Sequence, residues 1–410
     1  AFLLVLLLVL PDARAATYYW DSNDSTAGFG TAQGTWAAPT TNNSTQGWST
    51  NSTGTATLSG TTNTTTADTL NFGTGTAGLA AGTITVSGNV SSGAMTFGNA
   101  SGNITLSGGN ITLGGSITAS AGTTATHTIT SNISLTANRI FGGNMQNRFI
   151  FTGLISGAAN LDTVSAGGFI ALNGTNTFTG NFTSQRGQAN FNSIANSGQA
   201  SALGSGSTIT LGLNGAQAIT AWYTGASSAS SNRTWNILST ATIVAQDGSL
   251  NLTGNMTSPN AWNMAINLVG TANIGTNEIS GNISNALSGC FTSVSVLNTA
   301  PSGGSTEAGF WILSGNNSYN GTTSVTQNST LRIAHSNALG TTVNGTTVAS
   351  GSVLELTGGI SVGAEALSIS GNGISSGGGL RNISGNNSYA GMITLGATSR
   401  INSDANNPVS

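Results

Sequence analysis

Asn103-Ile104-Thr105-Leu106-Ser107-Gly108-Gly109-Asn110-Ile111-Thr112-Leu113-Gly114-Gly115-Ser116-Ile117-Thr118 decides the fold. Ile104 and Leu106 alternate with polar residues, as do Ile111 and Leu113, and Ile117 opens a third run. Period-two alternation over so few residues is the signature of short, half-buried strands, and the intervening Gly and Ser end each one. Ile104 and Ile111 stand seven positions apart, and Ile111 and Ile117 six. Strands this close, with Gly or Asn at every corner, suit a triangular coil of three strands and three tight turns. Such coils stack in parallel at a spacing of about 4.8 Å. The expected class is all-β, a right-handed parallel β-helix (solenoid) with an N-terminal cap.

The same alternation recurs at Thr83-Ile84-Thr85-Val86, Ser207-Thr208-Ile209-Thr210-Leu211 and Gly351-Ser352-Val353-Leu354-Glu355-Leu356. No amphipathic helix longer than two turns is visible, and Gly recurs too often for helix interiors. Composition agrees. Charged residues make up 5% of the chain, against about 25% in an ordinary globular domain. All eight basic residues are arginine, Gly numbers 59 of 410, and the net charge is −3. Inward aliphatics would stack into a core and outward Thr and Ser would suit the strands. Gly and Asn tolerate the left-handed backbone of corners. The lack of a basic patch excludes nucleic acid as a partner.

At the other end of the chain, Ala1 to Leu10 reads AFLLVLLLVL, broken by Pro11 and Asp12 and followed by Ala13-Arg14-Ala15. This is the pattern of a secretory signal peptide over residues 1–15. The run is too short to cross a bilayer, which takes roughly 20 apolar residues. No second span follows, so the expected product is exported and not inserted in the membrane. Residues 16–54, carrying Trp20, Trp36 and Trp48, read as the cap, and 55–410 as a β-helix truncated at its C-terminus. Coils of roughly 20 residues would number about 17 and make a rod of roughly 80 Å. Cys290 is the single cysteine. It cannot form an intramolecular disulfide and reads as a small buried hydrophobe.

A longer motif occurs three times. The copies are Leu172-Asn173-Gly174-Thr175-Asn176-Thr177-Phe178-Thr179-Gly180, Leu313-Ser314-Gly315-Asn316-Asn317-Ser318-Tyr319-Asn320-Gly321 and Ile383-Ser384-Gly385-Asn386-Asn387-Ser388-Tyr389-Ala390-Gly391. They begin 141 and then 70 residues apart, which leaves room for a degenerate copy between the first two. Internal repeats of this kind point to a solenoid. Gly315→Val is expected to break a turn. Thr323, placed on an outer face, is expected to tolerate Val.

These segments resemble the autotransporter-associated β-strand repeat of bacterial surface and passenger proteins. The second copy continues through Thr322-Thr323-Ser324-Val325 and Ser329-Thr330-Leu331-Arg332-Ile333 to Asn337-Ala338-Leu339-Gly340, and the first ends similarly at Ser201-Ala202-Leu203-Gly204. Tyr18-Tyr19-Trp20-Asp21, Gly34-Thr35-Trp36 and Gly47-Trp48-Ser49 are similar to the leader region of such proteins. The resemblance implies a parallel β-helix, export, and display at the bacterial cell surface or release from it. The sequence departs from the family in two ways. The usual Gly-Gly after the aromatic is a single Gly in each copy, and the sequence ends without a C-terminal β-barrel or sorting tail.

Chemistry-bearing residues are sparse. A glycosidase needs two carboxylates facing one cleft. Glu355, between Leu354 and Leu356, points outward, and nothing places Glu365 across a groove from it. Asp21 and Asp24 read as turn caps. His127 is assigned to the polar phase of its strand, and neither it nor His335 has a partner at metal-ligand spacing. No phosphate-binding loop or calcium-binding nonapeptide is present. Phe178, Tyr319 and Tyr389, matched in register, read as packed turn aromatics in preference to carbohydrate-stacking groups. No catalytic, cofactor-binding or metal residue is therefore assigned. The expected function is a non-catalytic structural or adhesive rod contacting surface glycans or further copies of itself. The alternative is a polysaccharide-processing lyase or glycosidase on the same scaffold, which would show itself as carboxylates, or a carboxylate with arginine, in one groove.

Overall fold

Thr83 and Thr105 lie side by side in parallel strands, and so do Ile84 and Leu106. That pairing, repeated along the chain, builds the molecule. A computed structural model describes residues 15–404, apart from 121–123, 144–145, 147, 214–216, 246, 260–261, 271–275, 286–288 and 299–308. Of the expected architecture the parallel β-solenoid is present, with about 13 turns and 1% of residues helical, while a separate N-terminal cap is not established.

Three faces wind around one core. The first face runs from Thr17–Asp21 through Thr69–Phe72, Met95–Phe97 and Ile117–Ala119 and on to Ile283–Asn285. The second runs from Thr35–Trp36 through Gly82–Val86, Ile104–Ser107 and Thr126–Ile129 to Ile393–Leu395. The third is built in two stretches, Asn89–Ser92 to Ile155–Ser156 and Ala229–Ser231 to Ile401–Ser403. Where Leu161–Leu172 and Phe182–Phe191 pair, both strands bend through register shifts near Thr163, Val164 and Phe169 and serve the first and second faces in turn. A bulge thus replaces a corner turn there.

The core follows from strand parity. Ile84, Leu106, Ile129, Phe151, Leu172, Phe191 and Tyr223 form one unbroken inward column on the second face, and all are buried. Val90, Ile111, Ile133 and Ile155 do the same on the third. Aromatic rings continue the stacking, with Phe72 on Phe97 at 4.9 Å. At the N-terminal end Trp48 meets Trp20 at 4.9 Å and Trp36 at 5.4 Å.

Coils are longer than the roughly 20 residues expected. Regular ones take about 22, as in the Asn132–Asn110 hydrogen bond, which spans 22 positions. Some mid-chain ones are longer, and Asn317 accepts from Ile283 N–H across 34 positions. Because corners absorb the extra residues, about 13 turns replace the expected 17, and the rod measures about 60 Å at 4.8 Å per turn.

Asparagine marks the corners. Asn110 donates to Asn89 at 2.8 Å and Asn132 to Asn110 at 3.0 Å, a ladder on the third face. At another corner the Asn138 side chain accepts from Asn160 N–H, Asn160 from Asn181 N–H, and Asn181 from Thr208 N–H. In each of these the side-chain oxygen belongs to the earlier coil and the backbone donor to the later one.

The repeated motif acquires a physical meaning. Its second Asn works in both directions: Asn317 Oδ1 accepts from Ile283 N–H at 2.8 Å, and Nδ2 donates to Ala338 O at 2.7 Å. Asn176 does the same with Ile155 and Ala202. The third copy keeps one half, Asn387 Oδ1 accepting from Ile360 N–H. The motif's first Gly lies against the preceding coil, where a Cβ on Gly315 would overlap the Gly281 carbonyl and one on Gly281 that of Gly254. Leu252-Thr253-Gly254 and Ile279-Ser280-Gly281 are therefore reduced versions of the motif's opening, lying between the first two full copies. The motif aromatics Phe178 and Tyr319 are fully buried. Each lies against the glycine that ends Ala-Leu-Gly, Gly204 or Gly340, both at positive φ.

Candidate functional site

All ion pairs among the described residues fall on one strip of the third face. Arg332, Glu355 and Arg381 occupy one outward column of adjacent strands. Their inward neighbours Leu331, Leu354 and Leu380 are buried in the core. Arg332 donates through Nε and Nη2 to Glu355 Oε2 at 3.0 and 2.8 Å. Arg381 donates through Nη1 to Glu355 Oε1 at 3.3 Å. Its Nε and Nη2 grip Asp404 in a two-pronged pair at 2.9 and 2.7 Å. The Arg332 guanidinium also lies over the Phe310 ring at 5.0 Å. The hydrogen bond from Arg381 holds Asp404 below the usual carboxylate range, and the same bond raises Arg381.

Glu355 thus points outward as its position between two leucines requires, yet it is only 6% exposed because arginines close over it. Every carboxylate oxygen in the strip is engaged by a guanidinium. Such a closed ladder ties coils together and presents no free carboxylate to a substrate.

The other residues singled out from the sequence scatter. Glu365 is buried inside the wall, on the opposite side from Glu355, and accepts from the Thr346 hydroxyl at 3.1 Å. Asp21 and Asp24 brace turns: Asp21 Oδ1 accepts from Asn23 N–H and Asp24 Oδ1 from Leu58 N–H. Burial pushes Asp21 up to about 6. His335 Nδ1 accepts from Asn337 N–H at 3.0 Å and starts the Ala-Leu-Gly turn. Cys290 is half-buried, short of the full burial expected of it. Tyr389 is half-buried.

Two assignments are corrected. His127 is not on the polar phase. It shares the inward parity of Ile129, is fully buried, and lies between Phe97 at 4.4 Å and Phe149 at 5.3 Å. Neither ring nitrogen has a partner among the described residues, and burial pushes the imidazole down to about 4. Thr323 is likewise inward, fully buried, and bonded to the Tyr319 hydroxyl at 2.6 Å.

One buried cation escaped the sequence reading. Arg233 is 1% exposed. It donates to the Leu203 and Gln199 carbonyls and to Ser201 Oγ at 2.9, 3.1 and 3.2 Å, and also to the Gly204 carbonyl. It staples the Ser201–Gly204 turn to the coil above. Desolvation lowers it only to about 10, so it stays charged at neutral pH.

No three or more His, Cys, Asp or Glu among the described residues are grouped to hold a metal ion. No helix of the described residues is long and apolar enough to cross a membrane. Compared with known proteins, the chain matches no family model, no curated protein and no solved structure.

Proposed function

We propose that this chain is an exported repeat rod of the bacterial surface or passenger type, structural or adhesive in role and without catalysis. The observation that carries the reading is the outer wall. It carries hydroxyl and amide ladders advancing one step per coil, such as Ser295, Ser324, Thr347, Ser368 and Thr394, and the ion pairs among the described residues lie in one strip that is closed on itself. Acid–base chemistry on a polysaccharide needs a carboxylate free to give or take a proton, and the strip offers none; the outward carboxylates Asp162 and Glu278, elsewhere on the wall, are bonded to Gln185 and Ser314 and stand far from one another in the chain. Repeated, shallow hydrogen-bonding positions favour weak contacts summed by avidity. The resemblance of the three motif copies to the autotransporter-associated repeat supports export and surface display. The residues read as a signal peptide, 1–15, fall almost entirely outside the described residues.

The test is a neutral and acidic glycan panel assayed for retention and for cleavage, with light scattering over a concentration series. Weak retention or reversible self-association without cleavage is the expected result. Release of reducing or unsaturated sugar ends would replace the rod with an enzyme.

A further inference from the structure

The core of the C-terminal coils contains a row of polar groups set among apolar residues. On the second face the inward column runs Val294, Thr323, Thr346, Leu367. The Tyr319 hydroxyl meets Thr323 Oγ1 at 2.6 Å, and Thr346 Oγ1 donates to Glu365 Oε1 at 3.1 Å. The Tyr389 hydroxyl is buried without a partner among the described residues. Tyr319, Thr346, Glu365 and Tyr389 come from successive coils, so the row runs along the solenoid axis. The coil above rests directly on it, since a Cβ on Gly391 would overlap the Glu365 carbonyl.

We propose that Glu365 is a pH-sensitive latch, which when protonated completes this interior row and holds the coils around it together, and when ionised loosens them.

The physical basis is a buried acid with one hydrogen bond and, among the described residues, no cation paired with it. Glu365 is 3% exposed. Thr346 supplies one hydrogen bond toward its ionised form, but burial outweighs it and pushes the carboxyl up from 4.5 to about 7. The ionisable groups that face it are Tyr319 and Tyr389. Burial first, and then the Glu365 charge, raise both phenols far above neutrality, so neither titrates in the same range. The charged strip of Arg332, Glu355 and Arg381 projects from the outside of the third face. A carboxyl raised in the folded state contributes stability that is complete below its unfolded pKa. That stability is lost as pH rises through the folded value, with no further loss above it.

Hydrogen exchange on the full chain, corrected for the intrinsic rate, reads the latch. Protection of residues 357–369 and 388–395 is expected to fall by about tenfold per pH unit between pH 5 and 7 and then level off. Residues 104–120 serve as the internal reference. Glu365→Gln should keep the acid-side protection and lose the pH dependence. Should that variant fold poorly, Thr346→Val offers a second test: loss of the hydrogen bond should move the midpoint to higher pH. A flat wild-type profile, an unchanged slope in Glu365→Gln, or an unmoved midpoint in Thr346→Val each overturns the proposal.

Discussion

Asn317 and Ala338 are joined by a hydrogen bond of 2.7 Å from the asparagine amide to the alanine carbonyl, 21 positions along the chain. The same asparagine accepts from Ile283 N–H in the preceding coil. One side chain therefore satisfies two buried backbone groups that no strand ladder reaches.

Asn317→Ala leaves the Ile283 N–H unpaired and the Ala338 carbonyl with only a long 3.5 Å contact from the Tyr319 hydroxyl, and a buried orphan costs about 1–3 kcal/mol. The expected loss is about 3 kcal/mol by urea unfolding. Asn387→Ala, at a half-buried site, should cost less than half as much. Equal losses would show that the bridge to Ala338 contributes nothing.

Glycine substitutions separate contact from composition. Gly315→Ala forces a methyl into the Gly281 carbonyl, whereas a Cβ on Gly363 meets nothing within 4 Å. Gly315→Ala is expected to cost about 2–3 kcal/mol, in the range of overpacked sites. Gly363→Ala should be neutral or slightly stabilising, because it restricts only the unfolded chain. Limited proteolysis at matched temperatures ranks the two.

Thr323→Val is no longer expected to be silent. It removes the nearer of two partners of the buried Tyr319 hydroxyl and should cost about 1–2 kcal/mol. Thermal unfolding of Thr323→Val beside Thr323→Ser distinguishes the lost hydroxyl from altered packing, since Ser keeps the hydrogen bond.

His127 gives a pH dependence opposite in sign to that of Glu365. Its folded pKa is depressed from 6.5 to about 4, so the stability tied to the neutral ring is complete above pH 6.5. That stability is lost as pH falls toward 4, by at most about 3 kcal/mol. Local unfolding of residues 95–105 and 126–135 should become easier in acid, and His127→Phe should remove that slope. Hydrogen exchange resolved by peptide reads both regions in one experiment.

The charged strip should respond to salt. Arg332 and Arg381 keep 29% and 36% side-chain exposure, and partly solvated pairs are screened. Glu355→Gln is expected to cost about 1 kcal/mol at low ionic strength and less in 1 M salt. A loss unchanged by salt would mean that packing, not charge, holds the strip.

Strand parity made the solenoid legible, because alternation over four residues is enough to assign an inside and an outside. His127 and Thr323 were misplaced where residue chemistry was allowed to outrank that parity. Both share the phase of an apolar neighbour, Ile129 or Val325, and both point inward with it. The Arg332–Glu355–Arg381 strip was hidden for another reason. Its members lie 23 and 26 positions apart, and only the actual coil length brings them together. Coil length itself depends on how many residues each corner absorbs, and no local pattern states that number. The motif asparagines were visible as a repeat, but their task of bonding backward to one coil and onward to another follows only from the stacking.

The corner asparagines also give the rod an arrow. Asn138 offers its oxygen to Asn160 N–H, and Asn160 to Asn181 N–H, so along this one corner each turn carries the receptor for the next, whereas the motif asparagines accept from the turn before. A wall built in this way is a staircase laid from below. Along that corner the finished step is the mould for its successor, so a polypeptide delivered amino end first can set those treads in order, while each motif asparagine locks the step beneath it only on arrival.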